Sequence, residues 1–253
     1  MSLAKFRTVA KLLAGLAPFI CLTGIVILQG LEYKKSVRRL NSADYFAQEQ
    51  EQARLAKWQK LAPHFGFDNL QADVSYLNFV QYFGDKQARE TIGYKLVPNY
   101  FETVSSIDPR FTQAHLRLAI ANSMYAGNPE QTITFMEQIL KSIDPKSEQA
   151  AYLWTSKGLD ELLFMGDKSA AIKSYDMAAG WANLTISDRH EQITIKDLEL
   201  ALASTDEIDL KEAQIFAWSS VLVHIKDNQR RAEIIDKISN LKAEISLLEA
   251  ATN

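Results

Sequence analysis

Residues 147–180 read SEQAAYLWTSKGLDELLFMGDKSAAIKSYDMAAG. Gly166-Asp167 breaks this stretch into two amphipathic segments. Trp154 and Gly158, four residues apart, share one face of the first; Ala171, Tyr175 and Ala178, at spacings of four and three, share one face of the second. Such a pattern predicts two helices folded back on each other around a glycine turn. Similar turns occur at Tyr82-Phe83-Gly84-Asp85-Lys86-Gln87-Ala88 and at Tyr125-Ala126-Gly127-Asn128-Pro129-Glu130-Gln131. The last two of the three turns lie 39 residues apart, and Asp108-Pro109 recurs 36 residues later as Asp144-Pro145, where proline is expected to open the next helix. This is the arithmetic of repeated αα-hairpins.

These residues resemble the tetratricopeptide repeat (TPR), whose pattern has a large and then a small residue in helix A, a glycine turn, and small, aromatic and small positions in helix B. Trp154, Gly158, Gly166, Ala171, Tyr175 and Ala178 match it in one unit. The preceding unit keeps Ala119 and Gly127 but has Thr132, Met136 and Ile139 in helix B. Both units carry one residue more between the small position and the turn than the usual repeat. The unit around Gly84 keeps the turn alone, and a C-terminal one keeps Ser219, Asp227 and Ala232 at the same offsets. The runs Phe65-Gly66-Phe67-Asp68-Asn69-Leu70 and Gln81-Tyr82-Phe83-Gly84-Asp85 also look like membrane-anchored TPR-like proteins of bacteria, particularly cyanobacteria. That resemblance implies a thylakoid context and an architecture, not a mechanism.

Composition agrees with helices. The 253 residues are 47% hydrophobic and 23% charged, with 10 glycines and 6 prolines, few turn-formers for this length. Working outward, Ser42 is the expected N-cap of a connecting helix whose Gln/Glu-rich face is solvated and whose Leu55, Trp58 and Leu61 share a stripe. Asp68 is the expected cap of the next helix, with Leu70, Val74, Leu77 and Gln81 on its apolar side and Phe79, Val80 and Tyr82 thickening it. The segment up to Ser106 reads as a broken helix, interrupted at Gly93 and Pro98. Beyond Gly180 neither glycine nor proline occurs, and three helices fit, over 187–203, 209–225 and 228–250. In the last, Ile234, Ile238, Leu241, Ile245 and Leu248 form a two-heptad seam, read as a capping helix packed on the last hairpin, with pairing to another chain as the alternative.

The N-terminal end reads differently. Residues 12–31, LLAGLAPFICLTGIVILQGL, hold no charge, and as a helix would match a bilayer core about 30 Å thick. The expectation is an uncleaved, single-pass membrane anchor. Lys5, Arg7 and Lys11 precede it and Lys34, Lys35, Arg38 and Arg39 follow it, so the flanking charges do not fix the face; the second cluster suits anionic lipid head groups. The expected organisation is all-α: a basic tail 1–11, a transmembrane helix 12–31, a basic juxtamembrane segment and connecting helix 32–67, a TPR-like α-solenoid of hairpins 68–183, and C-terminal helices with a cap 184–253.

Chemistry is sparse. Phosphate loops, dinucleotide fingerprints, zinc-protease and nucleophile-elbow motifs are all missing from the sequence. His64, His115, His190 and His224 lie far apart, without a second ligand at metal spacing. Cys21, the single cysteine, sits in the apolar run. The adjacent Asp160 and Glu161 point in different directions on a helix and cannot pair as acid and base. Removing the basic groups of residues 1–40 and Glu32 from the chain's 28 basic and 31 acidic groups leaves 21 and 30 in 41–253, a net charge of −9 that disfavours nucleic acid. No catalysis, metal, cofactor or small-molecule substrate is expected.

The expected site is instead a concave face lined by the A helices, with Asn78, Gln81, Gln113, Leu116, Ile120, Tyr152, Thr155 and Leu159 facing a protein partner. The expected function is a membrane-tethered scaffold in assembly or stabilisation of a membrane complex, photosynthetic if the cyanobacterial resemblance holds. The alternatives are a permanent accessory subunit using its transmembrane helix as interface, and an exported-side chaperone near the translocation machinery.

Overall fold

The computed structural model describes residues 18–31, 41–63, 66–147, 149–185, 196–198, 200, 202 and 204–252. The chain divides into two compact units, 1–44 and 45–253.

In the first unit, residues 18–31 are helical, and Phe19, Ile20, Leu22, Ile25, Val26, Ile27 and Leu28 are all exposed. This corrects the expected anchor. Among the described residues no helix is long and apolar enough to cross a membrane. The single-pass anchor and the membrane localisation drawn from it therefore fall. Positions 12–17 and the basic groups Lys34, Lys35, Arg38 and Arg39 lie outside the described residues, as do His64 and His190. Capping also differs from expectation: Asn41 Oδ1 accepts from the Asp44 amide at 2.9 Å while Asp44 Oδ2 accepts from the Asn41 amide at 3.0 Å, so Asn41 rather than Ser42 caps the helix that follows.

All regular elements described in the second unit are helices. They are α1 (Ser42–Leu61, from Tyr45 onward in this unit), α2 (Asp68–Gly84), α3 (Lys86–Ile92), α4 (Val97–Ile107), α5 (Thr112–Ile120), α6 (Pro129–Leu140), α7 (Ala150–Asp160), α8 (Lys168–Thr185), α9 (Glu207–Leu222) and α10 (Asn228–Thr252). They pair as hairpins: α2 with α4, α5 with α6, α7 with α8 and α9 with α10; α5 also packs on α4 and on α7. One core runs through the first hairpins, built from Phe79, Tyr82, Val97, Tyr100, Phe101, Leu118, Met136, Ile139 and Leu153. The repeated Asp-Pro pairs make the same turn twice, Asp108 accepting from the Arg110 amide and Asp144 from the Lys146 amide, both at 2.9 Å. Pro109 thus sits in a turn; the prolines that open helices are Pro98 and Pro129.

The extra residue before each glycine turn has a structural counterpart. α5 and α7 each end in a five-residue π turn, Ala121–Tyr125 and Glu161–Met165. The Ala126 amide bonds Ala121 O at 3.0 Å, an i to i+5 step that absorbs one residue without breaking the helix. Gly127 and Gly166 then turn the chain at φ +71° and +67°. The small residues of the α7–α8 hairpin lie where the two helices approach most closely. Ala171, Tyr175 and Ala178 are buried, and a Cβ on Gly158 would lie 3.2–3.3 Å from Ser174, Ala171 and Tyr175. In the first hairpin, however, Gly84 ends α2 without a positive φ, and Gly93, at φ +79°, makes the turn.

Of the apolar side expected on α2, Phe79 and Tyr82 face the core but the Leu70, Val74 and Leu77 stripe is turned outward. Leu70, Val74 and Leu77 are exposed, whereas Ala72, Ser75, Phe79 and Tyr82 are buried. In α1, Leu55, Trp58 and Leu61 are likewise exposed, and Glu49 of the supposedly solvated face is buried. It accepts from Tyr82 Oη at 2.9 Å and pairs with Arg89 at 3.3 Å, fixing α1 over α2 and α3.

The α9–α10 hairpin does not stack as one more repeat. α9 packs against both π turns, and α9 with the segment following it reaches the turns at Gly166, Gly127 and Gly93 in order. Gln214 lies against Gly166, Val221 and Ile225 against Gly127, and Lys226 against Gly93. Arg230 donates from Nη2 and Nε to Gly127 O at 2.6 and 3.2 Å, and Lys237 pairs with Glu130 at 2.9 Å. In α10, Ile234 is buried and Ile238 and Leu241 pack beside Trp218, so the first part of the seam is core.

Candidate functional site

Helices α2 and α5 are bridged by aromatic rings. Tyr76 meets Phe111 edge-on at 5.4 Å between centroids, and Phe83 meets Tyr125 at 4.9 Å. Between them lies an apolar cavity of about 420 Å3, walled by Tyr76, Phe79, Val80, Phe83, Ile120 and Tyr125 with Arg117 at its side. Val80 and Ile120 remain 45% and 56% exposed at its mouth. The side chains come from Tyr76, Phe79, Val80 and Phe83 of α2, at helical spacings that turn one flank of the helix toward α5. The π turn at the end of α5 carries Tyr125 past the helix end and places its ring between Phe83 and Tyr94.

Tyr125 also walls a second cavity of about 310 Å3, together with Tyr94, Lys95, His224, Lys226, Asp227 and Arg230. Its ring lies 4.4 Å from that of His224 and 5.2 Å from that of Tyr94. The two cavities lie on either side of the Tyr125 ring and share it as a wall; this adjoining pair, the trough, draws its lining from the first hairpin and from the segment after α9. Partial burial raises the Tyr76 and Tyr94 hydroxyl pKa values, so both rings stay neutral. Burial, then the neighbouring Lys226, holds His224 below its ordinary value; it is a neutral aromatic surface at pH 7.

The expected site residues divide. Ile120 lines the apolar cavity. Gln81 and Leu159 are exposed, and Asn78 and Tyr152 half-buried, but none of these four lines the trough. Leu116 packs on the core, Thr155 donates to Ala151 O of its own helix at 3.3 Å, and Gln113 lines a small separate cleft with Arg110 and Gln149. Tyr76, Val80, Phe83, Tyr94, Arg117, Tyr125 and His224 escaped sequence reasoning. The signal for Tyr125 was present, since it opens the glycine-turn motif, and its recurrence at Tyr82 marks the same position in the first unit.

A larger cavity of about 690 Å3 lies between α9, α10 and the turn at Gly166. Its polar walls are satisfied internally: Lys211 pairs with Glu244 at 2.7 Å, and Lys168 donates to Thr205 O at 2.7 Å. It offers less uncommitted chemistry than the trough. His115 is buried, holds Nε2 3.0 Å from Asp108 O, and is pushed down to about 4 by burial. Among the described residues no group of three His, Cys, Asp or Glu is arranged for a metal.

Comparison of the chain with protein-family models, with curated proteins and with solved structures gave no match.

Proposed function

We propose that the chain is a TPR-like scaffold that holds a segment of a protein partner in the aromatic trough, during assembly or stabilisation of a larger complex. The observation that carries this reading is the apolar cavity between α2 and α5, with Val80 and Ile120 open to solvent at its mouth. A cavity of this size, walled by rings and aliphatic groups with few polar ones, suits side chains of a docked segment. The TPR likeness draws support from the packing of Gly158, Ala171, Tyr175 and Ala178 across α7 and α8. With the anchor withdrawn, tethering plays no part in the proposal.

The test is a photo-crosslinking residue at position 120 in the full chain, in its native cells, with the same residue at exposed Lys173 on α8 as reference. Discrete adducts at 120 that vanish in Val80→Asp support the reading. Adducts identical at the two positions, or unchanged in the variant, overturn it.

A further inference from the structure

We propose that the trough selects an acidic segment with an apolar centre: one or two large aliphatic or aromatic side chains flanked by Asp or Glu. This rests on the trough being the partner site and names the chemistry of what enters it.

The charges of the trough run against those of the chain. Residues 41–253 carry a net −9. The charged residues lining the two adjoining cavities are Arg117, Lys95, Lys226 and Arg230 against Asp227, a net +3 with His224 neutral. Some of this charge is committed. Lys95 faces Asp227 at 3.4 Å, and Arg230 is held by Glu233 at 3.0 Å, Glu130 at 3.5 Å and the Gly127 carbonyl. Arg117 and Lys226 have no acidic partner within 4 Å among the described residues, and both are exposed.

These two uncommitted cations belong to different cavities on either side of Tyr125. Between them the surface is aromatic and aliphatic. A basic segment would meet two like charges there, and an entirely apolar one would leave both cations without a counter-charge in a partly desolvated cleft. A segment that buries an apolar side chain beside Val80 and Ile120 and carries carboxylates on both sides satisfies both demands. Nucleic acid also supplies anions, but the Phe79, Val80 and Ile120 wall offers its base edges no hydrogen-bonding group, and the surrounding surface repels phosphate.

The test is selection of a random dodecapeptide display library on the full chain, followed by fluorescence anisotropy with the selected peptides. Expected are peptides enriched in Asp and Glu around Leu, Ile, Phe or Trp, with affinity falling about tenfold or more in Arg117→Glu/Lys226→Glu. Arg117→Gln/Lys226→Gln should fall between wild type and the charge reversal. Peptides that are neutral or basic, yet lost in Val80→Asp, would overturn this inference while leaving the trough as partner site. Peptides indifferent to Val80→Asp, or no selected peptide at all, would remove both readings. Tighter binding of a fluorescent 15-residue oligothymidylate than of any peptide would also overturn it.

Discussion

Ser123, in the π turn that ends α5, donates a hydrogen bond of 2.5 Å to Asp160, the last residue of α7 before its own π turn. Both are buried, and the contact links the second and third hairpins through a polar seam. On one side Ser123 and Asn122 reach Thr132 of α6 at 2.9 and 3.0 Å. On the other, Glu161 turns away to Lys157 and to Ser174 of α8, the latter at 2.6 Å. The neighbouring carboxylates thus diverge, as their adjacency on a helix requires.

Burial pushes the Asp160 carboxyl from 3.8 up to about 7, against the Ser123 hydrogen bond and with Glu161 and Glu130 adding to the rise. The folded state therefore binds this proton more tightly than the unfolded one. Its contribution to stability is full below about pH 4 and is lost as pH rises through about 7. A displacement of that size corresponds to roughly 4 kcal/mol. Urea midpoints of wild type and Asp160→Asn, taken at pH 5, 6, 7 and 8, should diverge, with the variant gaining on wild type as pH rises. Parallel pH profiles would show that Asp160 does not titrate in this range.

The glycines fall into two classes. Gly127→Ala meets a positive φ and places a Cβ 2.8 Å from Ile225 Cδ1, so it should cost about 1–3 kcal/mol. Gly166→Ala has the same backbone strain, but its contact is the flexible amide end of Gln214, so it should cost less. Gly84 and Gly180 are helical, and a methyl group added at either would meet nothing within 4 Å; alanine there should stabilise by about 0.5–1 kcal/mol. Chemical denaturation of the four variants ranks them, and a costly Gly84→Ala would contradict the placement of the first turn at Gly93.

Glu49 and Arg89 form a buried pair, the Arg89 guanidinium lying 3.6 Å over the Tyr82 ring and donating to Gly93 O at 2.5 Å. Removing either partner strands a buried charge. Glu49→Ala is expected to cost about 3–5 kcal/mol, and Glu49→Ala with Arg89→Met distinctly less than the sum of the two single changes. A double-mutant cycle measures this, and additive losses would count against the pairing.

On α2 the two apolar faces should respond oppositely. Phe79→Ala removes a core ring and should cost about 3–5 kcal/mol, whereas Leu77→Ser should change stability by no more than about 0.5 kcal/mol. Equal losses would restore the face formed by Leu70, Val74 and Leu77 to the core.

The hairpins were legible because their determinants are local. Gly127, Gly166 and the small residues facing each other across α7 and α8 carry enough information in neighbouring positions to fix a turn and a close helix contact. The inward face of α2 was not legible. That helix carries two stripes of equally regular helical spacing, and Leu70, Val74 and Leu77 are more apolar than Ala72 and Ser75, which open the face that Phe79 and Tyr82 complete. Only tertiary contacts with α1 and α4 decide between them. Of the expected residues only Ile120, placed by the helical periodicity of α5, lines the trough; Tyr94 and His224 arrive from a broken helix and from the far end of the chain.

The path of the last hairpin across three turns changes how the chain is expected to come apart. A row of hairpins touching only their neighbours can fray from its ends, one unit at a time. Here Gln214, Ile225, Arg230 and Lys237 connect the final segment to turns up to about a hundred residues earlier. Loosening a single hairpin therefore also breaks contacts made by the C-terminal clasp, which binds the separate units into one cooperative melting event. Those contacts cannot form until the last fifth of the chain has been made, so the row waits, unlocked, for its own C-terminal residues.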